Sequence, residues 1–251
     1  TNEICLDVSS LSGEKLDSKE PFKDINFILN KGEILGIAGV EGNGQRELTE
    51  SILGIYPLSQ GTITVDGINI DNMATRQRRS LGINFIPEDR QTQGLVMDNS
   101  LIENAMLGRQ NKDMYKTKFK SVNFKNSRKF SNKIIDQYDV RTPNSSTLAL
   151  ALSGGNQQKF VVGRELEDNP SLLVASQPTR GIDIGAQSLI WEELREARDA
   201  GLGVLLISAD LEELLGLSDR LLVMYEGKIV KELLPEDATP ELLGAYMTGL
   251  K

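Results

Sequence analysis

The amino-acid sequence predicts an α/β fold with an antiparallel β part near the N-terminus and an inserted helical part. A short apolar run, residues 33–38 (EILGIA), leads through closely spaced glycines into residues 46–54 (RELTESILG), whose apolar side chains have helical spacing. From about residue 100 to residue 139 the chain becomes polar and helix-compatible, with few β-branched side chains. In the second half, apolar segments typical of buried parallel strands alternate with an amphipathic segment. We therefore expect one domain over residues 1–251.

The composition indicates an ordinary globular protein. The chain has 251 residues, a formal net charge of −8, 39% hydrophobic residues and no histidine. This acidic balance argues against general nucleic-acid binding, which usually requires a basic face. No apolar run approaches the roughly 20 residues that span a bilayer, and the single cysteine, Cys5, fits a reducing compartment. Because the sequence starts at Thr1, without a methionine or a signal-peptide pattern, we expect a piece of a longer chain.

Three segments in the first quarter of the chain predict the antiparallel sheet. Residues 4–8 (ICLDV), 25–29 (INFIL) and 62–67 (TITVDG) are rich in apolar and β-branched side chains and are bounded by Asn, Asp and Gly turn residues. Further apolar segments predict the strands of the α/β core. These core strands are expected near Glu33, Ile83, Leu172, Leu205 and Leu221.

The C-terminal third carries clear helix and turn patterns. Residues 186–200 (AQSLIWEELREARDA) have the apolar spacing of an amphipathic helix, and Gly201 is its expected C-terminal cap. The Glu226-Gly227 pair between two strand-like segments predicts a hairpin. A short helix is expected over residues 240–247.

Residues 39–47 (GVEGNGQRE), here called the phosphate loop, have the glycine spacing of the phosphate-binding motif G-x-x-x-x-G-K-[ST]. Glycines let backbone N–H groups close around phosphates, and the N-terminus of the next helix adds a favourable partial charge. Taken alone, a glycine-rich turn that binds no nucleotide remains an alternative. The predicted nucleotide-binding residues are Gly39, Glu41, Gly42, Asn43, Gly44, Gln45, Arg46 and Glu47.

Residues 152–159 (LSGGNQQK), here called the signature segment, resemble the LSGGQ signature of ABC ATPases. Ser153 is expected to cap a helix whose first glycines expose backbone N–H groups, which is another anion-binding arrangement. The order of the remaining segments also resembles that family over nearly the whole chain. The resemblance implies a P-loop NTPase core, binding of ATP or ADP, and an inserted helical subdomain at approximately residues 97–165.

Several residues depart from the family pattern around the outer phosphates. Gln45 replaces the lysine of the loop, and losing such a charge-assisted hydrogen bond costs about 1.5–3 kcal/mol. Arg46 stands where a hydroxyl would hold Mg²⁺, and a guanidinium cannot ligate a cation. The other departures are Ser176 for the Walker B aspartate, Gln177 for the general-base glutamate, Ala209 for the switch histidine, and Glu88 at the Q-loop position. We therefore expect a degenerate site without a metal ion, with sequence drift in an active site as the alternative.

The signature segment and the D-loop, in contrast, keep the residues of the family. The resemblance implies that two nucleotide-binding domains pair head to tail, so that the signature of one completes the ATP site of the other. Ser153, Gly154, Gly155 and Asp183 are then the residues expected to act in trans. ATP and Mg²⁺ would be held by the partner domain.

Two further segments, residues 88–96 (EDRQTQGLV) and 178–186 (PTRGIDIGA), resemble the second half of fused double ATPases that import nucleosides or simple sugars. This resemblance implies that the partner domain is the N-terminal half of the same chain. It also implies integral membrane permease subunits as partners, a solute-binding lipoprotein as an indirect partner, and a position at the cytoplasmic face of the cell membrane. Nucleic acid is not an expected partner.

Two other functions stay open from the sequence. One is a homodimeric ABC ATPase in which Arg46 replaces the lysine, and the other is a non-hydrolytic interaction module. A basic run also has two interpretations, either a solvated surface or a surface for an acidic partner or lipid headgroups. Its residues are Arg109, Lys112, Lys116, Lys118, Lys120, Lys125, Arg128, Lys129 and Lys133.

Overall fold

The architecture was taken from a computed structural model. It describes residues 3–15, 20–110, 112–116 and 122–250. Within these ranges, no helix combines the length and the apolar character needed to cross a membrane.

The chain divides into two compact units, each described by itself. Unit 1 contains the N-terminal part, one strand from the middle of the chain and the C-terminal part, Thr1–Phe85, Pro170–Gln177 and Glu193–Lys251. Unit 2 contains the two stretches Ile86–Asn169 and Pro178–Glu192. The helical subdomain expected at residues 97–165 lies within the first of these two stretches.

Strands and helices are numbered in chain order. The strands are β1 (Ile4–Gly13), β2 (Ile25–Asn30), β3 (Ile34–Ala38), β4 (Leu58–Val65), β5 (Ile68–Asn69), β6 (Ile83–Ile86), β7 (Leu172–Ser176), β8 (Gly203–Ser208), β9 (Arg220–Tyr225) and β10 (Lys228–Leu233). The α-helices are α1 (Gln45–Ile52), α2 (Thr75–Ser80), α3 (Leu101–Ala105), α4 (Phe124–Gln137), α5 (Gly154–Leu166), α6 (Ile184–Asp199), α7 (Leu211–Leu217) and α8 (Pro240–Met247).

Four strands of unit 1 form an antiparallel sheet in the order β2-β1-β4-β5. Along β2, Ile25, Phe27 and Leu29 are buried while Asn26 and Ile28 are exposed. This period of two places the apolar side chains on one face of the sheet, where they join the hydrophobic core of unit 1. The predicted antiparallel β part near the N-terminus is confirmed.

The second sheet has six strands in the order β10-β9-β3-β8-β7-β6. Its strands β3, β7, β8 and β9 are parallel, and β10 pairs with β9 in antiparallel fashion. Every residue of β3 and β8 is buried, which explains why these segments are continuously apolar rather than alternating. The predicted α/β class and its core strands are therefore confirmed.

Unit 2 is mainly helical among its described residues and packs α4 against α5. The close approach depends on Gly163 in α5, because a Cβ there would lie 2.6 Å from a ring carbon of Tyr138 at the end of α4. Tyr138 and Ile134 are buried beneath this contact. The predicted inserted helical part is confirmed.

Arg109 corrects the interpretation of the basic run as a solvated surface. Its side chain is fully buried and forms ion pairs with Glu165 at 2.9 Å and with Asp168 at 3.1 Å. Burial by itself lowers the pKa of Arg109, but the two carboxylates outweigh it and hold that pKa above its usual value. Lys112 pairs with the same Asp168. The run thus begins with a buried ion-pair network.

The middle of the basic run behaves as the solvated interpretation predicts. Lys125, Arg128 and Lys129 are exposed on α4. Lys118 and Lys120 fall outside the described residues. The run is therefore not one continuous surface feature.

Candidate functional site

The phosphate loop joins β3 to α1 in unit 1. Gly42 and Gly44 have φ angles of 89° and 101°, in the left-handed region that other residues rarely adopt. A Cβ on Gly44 would lie 2.3 Å from the carbonyl oxygen of Pro21. Helix α1 begins directly after Gly44, whose carbonyl accepts a hydrogen bond from the amide of Leu48 at 2.9 Å. The predicted turn of strand, glycine loop and helix is thus present.

Gln45 stands at the lysine position of this loop and is only 7% exposed. Its Nε2 donates a hydrogen bond to the carbonyl oxygen of Val40 at 3.3 Å. The same atom lies 2.0 Å from the point where a Cβ on Gly39 would be. The side chain therefore folds back into its own loop.

Arg46 follows Gln45 and carries the only cationic group of the loop sequence. Its Nε donates to Oε1 of Glu50, one helical turn further along α1, at 2.9 Å. This hydrogen bond raises the pKa of Arg46, and the charges of Glu47 and Glu41 add to the effect. The guanidinium is thus held by acids of its own helix and loop.

Asn43 fastens the phosphate loop to the hairpin between β9 and β10. Its Oδ1 accepts a hydrogen bond from the amide of Glu226 at 2.9 Å, and its carbonyl accepts one from the amide of Gly227 at 3.0 Å. The Asn43 side chain, predicted to bind nucleotide, thus has a structural partner within unit 1.

The ends of β7 and β8 bring two of the substituted positions together. Gln177, directly after β7, has a φ of 48°, an uncommon backbone conformation for a residue with a side chain. Its Oε1 accepts hydrogen bonds from the amide of Ala209 at 3.3 Å and from Oγ of Ser208 at 3.4 Å. Gln177, predicted at the general-base position, therefore holds the turn that carries Ala209, predicted at the switch-histidine position.

The donor atoms at these positions do not fit a Mg²⁺ ion. Magnesium is usually held by carboxylates and substrate phosphates in octahedral geometry. The side chains present are the amides of Gln45 and Gln177, the guanidinium of Arg46 and the hydroxyl of Ser176, without a carboxylate among them. In the described part of the chain, no group of three or more His, Cys, Asp or Glu side chains is placed to hold a metal.

The signature segment in unit 2 forms the start of α5, a helix of 13 residues. Ser153 is its N-cap and is exposed, and its Oγ accepts from Nδ2 of Asn156 at 2.9 Å. Gly154 and Gly155 are the first two residues of the helix. The predicted cap is confirmed, and the first turn presents backbone N–H groups and a partial positive charge, which favour an anion.

The polar residues after the glycines hold α5 in place, a role that sequence reasoning did not predict. Nε2 of Gln158 donates to the carbonyl of Pro178 at 2.7 Å. Nζ of Lys159 contacts Oδ2 of Asp139 at 3.0 Å. Because the partners in each contact lie 20 residues apart along the chain, no local pattern signals these contacts.

Asp183 lies next to the signature glycines in unit 2. Its Oδ1 accepts a hydrogen bond from the amide of Ala186 at 3.0 Å, which lowers the pKa of this carboxyl. A Cβ on Gly155 would lie 2.8 Å from Oδ2 of Asp183. The structure therefore brings together Asp183 and Gly155, two residues predicted to act on the same nucleotide.

Residues 88–90 contact the loop that precedes Asp183. Glu88, predicted at the Q-loop position, forms an ion pair with Arg180. Arg90 donates from Nη1 to the carbonyl of Arg180 at 3.1 Å. Sequence reasoning passed over Arg90, although it belongs to the EDR string that supported the family resemblance.

Comparison with known proteins identifies the family to which the phosphate loop and the signature segment belong. The family model for the ABC transporter matches residues 22–180, more than half of the chain, and this stretch contains both the phosphate loop and the signature segment. The chain belongs to the ABC transporter family. The match ends at Arg180, just before the D-loop aspartate Asp183.

Similar proteins within the ABC transporter family are import ATPases. The guanosine import ATP-binding protein NupO of Bacillus subtilis is 45% identical over 233 residues, 92% of this chain and 45% of that protein. The glucose import ATP-binding protein of Haloferax volcanii is 43% identical over 235 residues, which cover 92% of this chain and 42% of that protein. The nucleoside import ATP-binding protein NupA of Lactococcus lactis is 37% identical over 250 residues, which cover 98% of this chain and 49% of that protein. The chain spans about half the length of the curated relatives it matches.

Solved ABC structures share the fold. A nucleotide-free ATP-binding cassette from an ABC transporter superposes with a TM-score of 0.80 at 22% identity, over 98% of this chain and 99% of that one. A dimeric ATP-binding cassette in a post-hydrolysis state with ADP and Pi gives a TM-score of 0.77 at 19% identity, over 92% and 98%. The P-loop fold of ABC ATPases is thereby confirmed.

Proposed function

We propose that this chain is the ATP-binding domain of an importer for nucleosides or simple sugars, and that its signature segment acts on ATP held by another domain. The relatives named for guanosine, nucleoside and glucose import support the substrate classes. The single observation that supports a role for the signature segment, and not for the phosphate loop, is the geometry of Gln45, whose amide is turned into its own loop. The phosphate loop thus lacks a cation aimed at the outer phosphates, while the signature segment is open.

The phosphate loop of this chain is expected to bind nucleotide weakly and to hydrolyse none. Loss of the charge-assisted hydrogen bond at Gln45 costs about 1.5–3 kcal/mol, roughly a ten- to hundredfold loss in affinity. Arg46 does not compensate, because its guanidinium pairs with Glu50. Gln177 offers an amide where a base is required, and an amide accepts no proton near neutral pH. The retained glycines still permit residual ADP or ATP binding.

The signature segment is expected to complete an ATP site in trans. Ser153 is exposed at the N-terminus of α5, where the helix dipole and the free N–H groups favour a phosphate. The side chains of Arg90 and Asp183 fill the space beside Gly154 and Gly155. We propose that the phosphate loop, the Mg²⁺ ion and the catalytic base of that site belong to a partner ABC domain. The partner is the other half of a longer chain, in keeping with the length of the relatives.

The remaining partners and the location follow from this assignment. An importer requires integral membrane permease subunits and receives its solute from a solute-binding lipoprotein, so this domain would lie at the cytoplasmic face of the membrane. Co-purification with an integral membrane protein is the expected result. A soluble partner in its place would favour the non-hydrolytic interaction module.

The decisive experiment compares the two regions in the complete transporter. Ser153→Ala is expected to lower ATP hydrolysis about a hundredfold, because one preorganised donor at a reacting phosphate is removed. Asn123→Ala is the matched control, since Asn123 caps α4 in the same unit and its side chain also accepts from a backbone amide. Gln45→Lys is expected to leave the rate within about twofold, because one restored charge does not replace the missing base.

The outcomes separate the alternatives clearly. A Ser153→Ala transporter that hydrolyses ATP as fast as the Asn123→Ala transporter would contradict the role in trans. A gain of tenfold or more on Gln45→Lys would show that the phosphate loop of this chain is itself catalytic.

A further inference from the structure

Residues 88–90 lie in a locally ordered turn of unit 2. Asp89 caps the single π-helical turn Arg90–Gly94, and its Oδ1 accepts from the amides of Gln91 at 2.9 Å and Thr92 at 3.2 Å. A hydrogen bond from the side chain of Thr92 lowers the pKa of Asp89, and the amide bonds add to this effect. The backbone that carries the Arg90 side chain is therefore fixed by local bonds.

The Arg90 guanidinium contacts two other segments of unit 2. It donates from Nη1 to the carbonyl of Arg180 at 3.1 Å and from Nη2 to the carbonyl of Gly181 at 3.4 Å. The same Nη2 lies 2.6 Å from the point where a Cβ on Gly154 would be. One side chain thus spans from the loop before Asp183 to the first residue of α5.

The start of α5 is an unfavourable position for the Arg90 guanidinium unless negatively charged or accepting groups offset the electrostatic repulsion. The N-terminus of a helix carries a partial positive charge, so a guanidinium beside Gly154 is repelled by α5. The two accepting carbonyls offset part of that repulsion within the chain. A phosphate bound at the signature segment would offset the remaining repulsion, because its negative charge would lie next to both the Arg90 guanidinium and the N-terminus of α5.

A second contact joins the same two segments. The carboxylate of Glu88 pairs with the side chain of Arg180, while Arg90 bonds to the backbone of Arg180. The first pair is exposed to solvent, so its own contribution is small. The planar guanidinium of Arg90, which donates to two carbonyls at once, is the more rigid of the two connections.

We propose that Arg90 is a positioning residue that fixes Gly154 of the signature segment relative to the loop carrying Asp183. The inference rests on the proposed role of the signature segment in trans. Without Arg90, the first residue of α5 loses its contact with this loop while Gln158 still bonds to Pro178 further along the helix, and the glycines shift relative to the nucleotide. A misplacement of about 1 Å at a reacting centre can lower a rate on the order of a hundredfold.

The test uses the complete transporter reconstituted in liposomes, with kcat and KM for ATP measured for each variant. Arg90→Ala is expected to lower kcat tenfold or more and to leave KM within about threefold, because the signature acts in the transition state while the partner holds ATP. Arg128→Ala is the matched control, an exposed arginine on α4 of the same unit, and is expected to keep both constants. Limited proteolysis of the reconstituted transporter reports whether each variant is folded.

A conservative variant distinguishes positioning from charge. Arg90→Lys keeps the positive charge, but a single ammonium cannot donate to both carbonyls in the plane of the guanidinium, so its kcat should stay within about threefold of the alanine variant. Full recovery by lysine would overturn the positioning role. An Arg90→Ala transporter as active as Arg128→Ala, in a preparation where Ser153→Ala is inactive, would overturn the inference alone. Activity of Ser153→Ala would instead overturn the proposed function.

Discussion

In unit 1, two polar side chains of the phosphate loop, Gln45 and Arg46, bind groups close to them in the sequence. Gln45 donates to the carbonyl of Val40, five residues earlier, and Arg46 pairs with Glu50, four residues later. Such contacts shape the loop and the first turn of α1. They do not aim a positive charge at a ligand.

In unit 2, two polar side chains at the end of the signature segment bind groups that lie 20 residues away along the chain. Gln158 donates to Pro178, and Lys159 pairs with Asp139. Each contact fixes α5 against a different segment. The polar groups of α5 thus hold this helix against other segments of unit 2, whereas Gln45 and Arg46 contact only their own loop and helix. Three substitutions test this contrast, from the largest expected effect to the smallest.

Arg109→Ala should have the largest effect on stability. It removes one cation from the buried carboxylates Glu165 and Asp168, which are 1% and 9% exposed and keep Arg164 and Lys112 as partners. Removing one partner from a buried ion pair typically costs about 3–5 kcal/mol. Denaturant unfolding followed by Trp191 fluorescence, which reports on unit 2, measures the loss. A change below about 1 kcal/mol would mean that the network contributes little to stability and that the ordered state of unit 2 does not depend on it.

Gln158→Ala should have an intermediate effect. The Gln158 side chain is buried, and its loss leaves the carbonyl of Pro178 without this partner, at a cost of about 1–3 kcal/mol. Gln91→Ala is the matched control, because Gln91 is exposed and its amide makes only a 3.3 Å contact to Gln157. The free energy of unfolding is compared between the two variants. Equal losses would contradict the idea that distant contacts hold the signature segment.

Arg46→Ala should have the smallest effect. Its ion pair with Glu50 is mostly solvent-exposed at the arginine and is worth about 0.3–0.5 kcal/mol. ATP hydrolysis by the complete transporter should stay within about twofold, because the guanidinium is committed to Glu50 and not to a phosphate. Loss of hydrolysis on this substitution would favour the homodimeric ATPase in which Arg46 replaces the lysine.

Much of the fold was predictable because it depends on short-range patterns. Period-two alternation in β2 and the continuous apolar runs of β3 and β8 follow from which faces of a strand are buried. Glycines at the phosphate loop and a serine before the signature glycines follow from backbone φ angles and helix capping. Because these rules act over a few neighbouring residues, the strands, the glycine turn and the helix cap can be predicted from the sequence alone.

The directions of the charged and amide side chains were not predictable in the same way. Arg109 belongs to a run of basic residues that the sequence analysis interpreted as a solvated surface, but its side chain is buried against Glu165. Arg90 lies far from Gly154 along the chain, yet its guanidinium fills the space that a side chain there would take. A buried charge is stable only beside an opposite charge or a carbonyl, and which of these is near depends on how distant segments pack.

The sequence by itself determined the α/β class and the ABC family, and it predicts that Gln45, Ser176, Gln177 and Ala209 stand at positions where the family places charged or titratable groups. The tertiary structure decided which partners the polar and charged side chains of these segments contact. It turned Gln45 into its own loop and joined Arg90 to the signature segment. The physical reason is range: backbone conformation and hydrophobic periodicity are set by neighbouring residues, whereas the pairing of polar groups is set by segments that meet only in the folded chain.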